Sequence, residues 1–228
     1  MTDYPNTDYK LLVFDWDGTL IDSIERIVTS LQHASRTVCR LHVSEDVARS
    51  VIGLGLYEAI EKLHPELESV VIESIAAAYK QHFLHDNPVP AHLFDGVEEL
   101  LHQLVADNYT LAIATGKSRI GLDRAMQEHQ LGNYFVTTRC AGEMPSKPHP
   151  EMLHSILQEL DAQAEHSLMI GDSAHDFMMA HNAGIKAVGV THGVEDAASM
   201  QRHNLLACLD DVTDLYEFLS HNNQNLMN

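Results

Sequence analysis

The sequence predicts an α/β protein: a parallel-sheet core interrupted, after its first strand, by an all-helical (four-helix) insertion. Leu11–Phe14 is an apolar run without alternation that stops at Asp15, the pattern of a strand buried on both faces. From about Ala91 onward, short apolar runs alternate with helical patterns, which implies a parallel sheet with right-handed crossovers. Between Asp22 and Asp86 the periodicity is helical throughout and no strand is expected.

In chain order, Asp22 and Ser23 are both N-cap candidates, and Asp22 with Glu25 has capping-box spacing. Ile24, Ile27, Val28, Leu31 and Val38 then recur at helical spacing to about Cys39. A second helix is expected from Ser44 with Val47 and Val51 inward, a third over Leu56–Leu63, and a fourth from Pro65 over Glu66–His85. That fourth helix would carry Leu67, Val70, Val71, Ile75, Ala78, Tyr79 and Phe83 inward. Asn87-Pro88-Val89-Pro90 ends the helical stretch, because proline supplies no N–H and disfavours helix before it.

The second half predicts a helix over Val97–Asp107, a strand over Tyr109–Ala114, a helix over Arg119–His129 and a weak strand near Phe135–Thr138. Pro145–Pro150 is a loop carrying Lys147, and Pro150 suits the first turn of a helix reaching Leu160. Ser167–Ile170 reads as a strand, followed by a helix to Asn182 that Gly184 ends. A strand over Lys186–Val190, a helix near Val194–His203, a short strand Leu206–Leu209 and a helix over Val212–Leu219 complete the pattern. The last residues, HNNQNLMN, are polar and expected to fray.

Charge excludes some partners. The 228 residues carry 14 Lys and Arg against 33 Asp and Glu, a formal net charge of −19. Such a surface repels phosphate backbones and anionic lipid, so neither nucleic acid nor a membrane is an expected partner. A small phosphorylated metabolite stays admissible, because charge within a site can oppose the global field. The polar start lacks a secretory pattern, and Cys39, Cys140 and Cys208 are isolated, so reduced, mostly buried thiols in a cytoplasmic protein are expected. The 16 histidines include His82 and His85 at i and i+3, but no further ligand stands at zinc-site spacing. Solvated imidazoles are the plainer reading.

The chemistry gathers at strand ends. LLVF runs into Asp15, LAIA into Thr115-Gly116, and SLMI into Gly171-Asp172, with Asp17 and Asp176 close behind. Parallel strands bring such tips to one sheet edge, where open α/β sheets bind ligands. The i, i+2 spacing of Asp15 and Asp17 would point both carboxylates to one side in extended chain. Gathered carboxylates repel unless a cation sits among them, and an all-oxygen set suits Mg²⁺. Lys147 offers fixed positive charge, Thr115 a hydroxyl, and Gly116 an unobstructed N–H. These are the parts phosphoryl transfer requires.

FDWDGTLIDS, ATGKSR, SKPHP and GDSAHD resemble, in order and spacing, the four motifs of the haloacid dehalogenase superfamily, over about residues 8–21 and 92–220. The helical insertion after the first motif resembles subfamily IA, which includes phosphoglycolate phosphatases and β-phosphoglucomutases. The resemblance implies a Rossmann-like catalytic core over 1–21 and 92–228 and a helical cap over 22–91 that acts as a lid. It implies that Asp15 attacks phosphorus and that Asp17 serves as acid and then base. Mg²⁺ would be held by Asp15, the Asp17 carbonyl and Asp172, with Asp176 in support through water or Lys147. Thr115, Gly116 and Lys147 would bind the transferring phosphoryl group.

Asp17 favours phosphate esters, because the dehalogenases and phosphonoacetaldehyde hydrolases of the superfamily keep no acid two residues after the nucleophile. Trp16, in place of the commoner aliphatic residue, is expected to pack beneath the hinge. Gly116 stands where phosphoglycolate phosphatases usually have Asn, which weakens that exact substrate. In the cap, Arg49 and the Gly53–Leu56 turn are candidate substrate readers, with a solvated arginine the plainer reading of Arg49. Tyr79, His82 and Phe83 are expected to be cap packing.

The leading expectation is a Mg²⁺-dependent, phosphoglycolate phosphatase-like enzyme acting on a small phosphomonoester, as a monomer or homodimer. The alternatives are a phosphomutase of the β-phosphoglucomutase type and, less favoured, a phospho-acceptor signalling protein. Asp17 and the long insertion both count against the last.

Overall fold

The computed structural model describes residues 8–226. A small ribbon of β2 (Ile21–Asp22) and β3 (His92–Leu93) stands apart from a sheet of six parallel strands: β1 (Leu11–Phe14), β4 (Thr110–Ser118), β5 (Thr137–Ala141), β6 (Ser167–Gly171), β7 (Lys186–Val190) and β8 (Ala207–Leu209). Their order is β5-β4-β1-β6-β7-β8. The apolar run at Leu11 therefore lies mid-sheet, as its lack of alternation required.

Register decides where the tips fall. Phe14 stands level with Ile113 on one side and Ile170 on the other. Asp15, Ala114-Thr115 and Gly171-Asp172 thus come level at one edge of the sheet, and the Asp15 N–H still donates to the Ile170 carbonyl. Leu12, Phe14, Leu111, Ile113, Leu168 and Ile170 pack on one face, and Leu11, Val13, Ala112, Ala114 and Met169 on the other. Helices cover both faces: α5 (Val97–Ala106), α6 (Arg119–Glu128), α7 (Glu151–Glu159), α8 (Ala174–Ala183), the one-turn α9 (Ala197–Met200) and α10 (Asp214–Leu226). Each fully buried Leu, Ile or Phe here contributes about 1.5–3 kcal/mol relative to exposure.

The insertion folds as α1 (Ile24–Cys39), α2 (Glu45–Arg49), α3 (Leu56–Leu63) and α4 (Ser69–Gln81), which runs into a π-helical turn at His82–Asp86. Ile24, Val28, Leu31, Ile60, Ile72 and Ile75 form a hydrophobic cluster separate from those of the sheet.

Several expectations are corrected. A two-stranded antiparallel ribbon, β2 (Ile21–Asp22) with β3 (His92–Leu93), brackets the insertion, so a strand does stand at Asp22. Asp22 is consequently no cap; Ser23 occupies the N-cap of α1, but its hydroxyl donates to Asp17 instead of capping. Helix α4 starts at Ser69, four residues past Pro65, with Glu68 at its N-cap. Val47 and Val70 are exposed, while Val51 is buried as expected. Strand β5 begins at Thr137, because Phe135 leaves the sheet line to pack edge-on against Phe14 at 6.3 Å. Of the three cysteines only Cys140 is buried. His82 stacks on His33 at 4.0 Å and hydrogen-bonds Ser30, so it is not a solvated imidazole. Trp16 is wholly buried in the core beside Leu20 and Ile21, as expected. The backbone stays helical through Leu226, and residues 1–7 and 227–228 lie outside the described chain.

Candidate active site

Three carboxylates meet at the sheet edge. Asp15, Asp172 and Asp176 are all buried, and one oxygen from each lies within 4.8 Å of the others. Lys147 reaches in from the loop before α7, its Nζ 2.7 Å from Asp15 Oδ1 and 2.6 Å from Asp176 Oδ1. The buried Asp15 Oδ1 thus has the Lys147 ammonium as its close partner.

Local backbone explains how the acids are held. Asp176 lies in the first turn of α8, where its Oδ2 accepts from the Ser173 N–H (3.1 Å) and hydroxyl (2.7 Å). Asp172 Oδ1 accepts from Thr19 Oγ1 at 2.9 Å and Oδ2 from the Val194 N–H at 2.8 Å. Gly18 and Gly193 press on the same carboxylate; a Cβ on either would lie 2.2 Å from Oδ2. Gly18 also sits at φ +86°, so both space and backbone call for glycine there.

Electrostatics follows from burial. Burial pushes Asp15 up to about 7, with Lys147 opposing and Asp176 adding to the rise. Burial, then the charges of Asp176 and Asp15, hold Asp172 well above the usual carboxylate range. Burial alone would lower Lys147, but Asp15 and Asp176 hold its ammonium above its ordinary value. Three buried acids against one lysine leave an uncompensated negative site whose donors are all oxygen. Such a site suits a hard divalent cation.

Asp17 does not join this triad. From Asp15 onward the chain is turning, with the Leu20 N–H bonded to the Trp16 carbonyl at 3.0 Å, so the alternation of an extended strand no longer applies. The Asp17 carboxylate instead accepts from Ser23 Oγ at 2.8 Å and meets Lys117 Nζ at 2.9 and 3.0 Å. Thr115 is buried and its Oγ1 accepts from the Lys117 N–H at 3.1 Å. This lies where the β4–β5 register slips between Thr115 and Ser118, a break that re-aims the chain. Gly116 lies against the insertion: a Cβ there would be 2.4 Å from the Leu54 carbonyl oxygen and 2.5 Å from that of Gly53.

The insertion touches the strand-end loops directly. Arg49 donates to the Gly193 carbonyl at 2.9 Å, so it is neither solvated nor free to face a ligand with that nitrogen. The Gly55 N–H donates to Ser146 Oγ at 2.7 Å. Phe83 lies beneath Lys117, 4.9 Å from Nζ to the ring centre, and Tyr79 stacks on Phe83 at 5.5 Å. Packing accounts for part of their role, yet Phe83 also meets Lys117, and burial, with the charge of Asp17 adding, pushes the Tyr79 phenol up.

The sequence reading named Asp15, Asp17, Thr115, Gly116, Lys147, Asp172 and Asp176, and the fold brings all seven to one edge. It missed Lys117, although ATGKSR contains it two residues past Thr115. It also missed the Gly193-Val194 turn, signalled only by one more strand that ends in a glycine-containing loop, Thr191-His192-Gly193.

Strand order, insertion point and acidic tips define a class: a parallel α/β sheet with a helical cap inserted after its first strand and an acidic site at its edge. Comparison with known proteins narrows it. The profile of the haloacid dehalogenase-like hydrolases matches residues 12–190. The chain is 30% identical over 217 residues to the pyrophosphatase PpaX of Bacillus thuringiensis (strain Al Hakam), covering 94% of this chain and 98% of that protein. A crystal structure from Bacteroides fragilis, described as a haloacid dehalogenase-like hydrolase, is 26% identical with a TM-score of 0.83, covering 91% of this chain and 99% of the other. A predicted phosphoglycolate phosphatase from Haemophilus somnus 129pt, 24% identical, shares the fold at a TM-score of 0.81 over 93% and 98% of the two chains. The chain belongs to the haloacid dehalogenase-like hydrolase family, on its phosphatase-like branch.

Proposed function

We propose that this protein is a Mg²⁺-dependent phosphatase that hydrolyses a small phosphorylated metabolite through an aspartyl phosphate on Asp15. One observation carries the reading: two acids two residues apart are held in different surroundings. Asp15 lies buried among Asp172, Asp176 and Lys147, and Asp17 stands outside that triad on Lys117. Separate environments are how one pair of carboxylates divides nucleophilic from proton-transfer work.

In this scheme an Asp15 oxygen attacks phosphorus as the bond to the leaving oxygen breaks, and Asp17 gives that oxygen its proton. Asp17 then takes a proton from water, whose oxygen attacks the acyl phosphate and frees Asp15 and inorganic phosphate. Thr115 Oγ1, the Gly116 N–H and Lys147 would bind the phosphoryl oxygens through the transfer. Asp15, the Asp17 carbonyl and Asp172 would hold Mg²⁺, with Asp176 in support. The bound ion would supply charge neutralisation for the phosphoryl group. The uncompensated charge of three clustered carboxylates and their all-oxygen donor set both fit such an ion. The helices over 22–91 would form the lid over a core of 1–21 and 92–228, excluding water while Asp15 reacts.

The names of the relatives put pyrophosphate and phosphoglycolate among the candidate substrates, beside sugar phosphates. Three unpaired cysteines keep the cytoplasm as the proposed compartment. A generic aryl phosphate should release phosphate only when Mg²⁺ is supplied, and Asp15→Asn should abolish it. Wild-type turnover in that variant would remove Asp15 as nucleophile. Incubation with β-glucose 1-phosphate separates hydrolysis from mutase chemistry by whether free phosphate or the 6-phosphate appears.

A further inference from the structure

The scheme above leaves one site cation without a task. Lys147 is committed to Asp15 and Asp176, and Arg26 and Arg49 aim donors at backbone carbonyls of Phe83 and Gly193. Lys117 is placed differently: its Nζ meets both Asp17 oxygens and lies over the Phe83 ring of the insertion. Lysine and acid are each largely covered, with side-chain exposures of 13% and 14%.

Position gives this ammonium a role. In phosphoryl transfer the attacking and leaving oxygens stand roughly in line across phosphorus. With Asp15 as nucleophile, the leaving oxygen departs on the side of the residue that protonates it, Asp17. Lys117 Nζ, 2.9 Å from that carboxylate, therefore borders the leaving group. The aromatic face beneath Nζ also attracts the cation and limits its swing. Space there is short, because the Gly53 and Leu54 carbonyls fill the volume a side chain at Gly116 would take.

We propose that Lys117 and Phe83 form the leaving-group subsite, selecting small phosphorylated compounds whose leaving group carries an anionic oxygen of its own, a phosphate or a short carboxylate. A partly desolvated ammonium rewards such a group and gives little to a neutral alcohol of the same size. The inference rests on the phosphatase reading and adds to it the residue that sets selectivity.

The test compares inorganic pyrophosphate, carboxymethyl phosphate and ethyl phosphate with Mg²⁺ present. The wild type should favour at least one anionic substrate over ethyl phosphate. Lys117→Met should lower its kcat/KM at least tenfold more than that of ethyl phosphate, mainly through KM, and Lys117→Arg should restore most of the selectivity. Whichever anionic substrate loses more identifies phosphate or carboxylate as the preferred group. Equal losses on all three would reduce Lys117 to a support for Asp17 and overturn the proposal, as would a wild-type preference for ethyl phosphate. Asp15→Asn turning over at the wild-type rate would instead defeat the phosphatase reading beneath it.

Discussion

Lys147 Nζ stands 2.6 Å from Asp176 Oδ1, with neither side chain exposed, so the stability of the sheet edge depends on an ion pair sealed from water. Removing one partner of such a pair strands the other charge. Lys147→Met should cost about 3–5 kcal/mol in urea unfolding. An unchanged midpoint would mean that the acids are neutral in the folded protein.

The contact between Gly18 and Asp172 yields a sharper test. A Cβ at residue 18 would stand 2.2 Å from Oδ2 and force a positive φ on an L-residue, so Gly18→Ala should impair Mg²⁺-dependent turnover more than tenfold. Gly184→Ala serves as the control, because it shares the positive φ with nothing within 4 Å. That variant should keep its turnover and lose about 1 kcal/mol. Similar activity in the two proteins would show that the Asp172 cradle does not need its close packing.

Asp15 and Asp172 couple stability to pH. A carboxyl whose folded value is raised binds its proton more tightly than the unfolded chain does. Metal-free stability should therefore fall as pH climbs from about 4, the unfolded value, toward about 7, where Asp15 titrates when folded. Mg²⁺ competes with those protons, so its stabilisation should be larger at pH 8 than at pH 5. At a hundredfold excess over its dissociation constant it should add about 2.7 kcal/mol, or roughly 5–10 °C in Tm. A Tm shift by Mg²⁺ that does not vary with pH would separate the acids from the metal site.

Gly116→Ala tests how tightly the insertion sits on the core. The new Cβ would meet the Gly53 and Leu54 carbonyls at 2.5 and 2.4 Å, contacts with backbone that cannot rotate away. The helices should lift off the sheet edge, enlarging the radius of gyration in small-angle scattering and raising KM several-fold. Unchanged scattering and KM would indicate that the two parts already part in solution.

Much of this architecture is local and was legible beforehand. Leu56–Leu63 and Lys186–Val190 have the bounds their patterns predict, because periodicity and punctuation lie within each segment. Asp15, Thr115 and Asp172 were readable for the same reason: each is the first strong polar group after an apolar run. The ribbon at Ile21–Asp22 was not, since its partner lies some 70 residues away and two residues carry no periodic signal.

By itself, the sequence determined the parallel sheet, the helical insertion after the first strand, and the acids at the strand tips. Tertiary structure alone decided that Asp17 turns from the triad to Lys117, that Gly116 admits the Gly53-Leu54 backbone, and that Arg49 grips the Gly193 carbonyl. Those outcomes join residues tens to well over a hundred positions apart. Strand register and the seating of the insertion set them, and neither is encoded in any one stretch of chain.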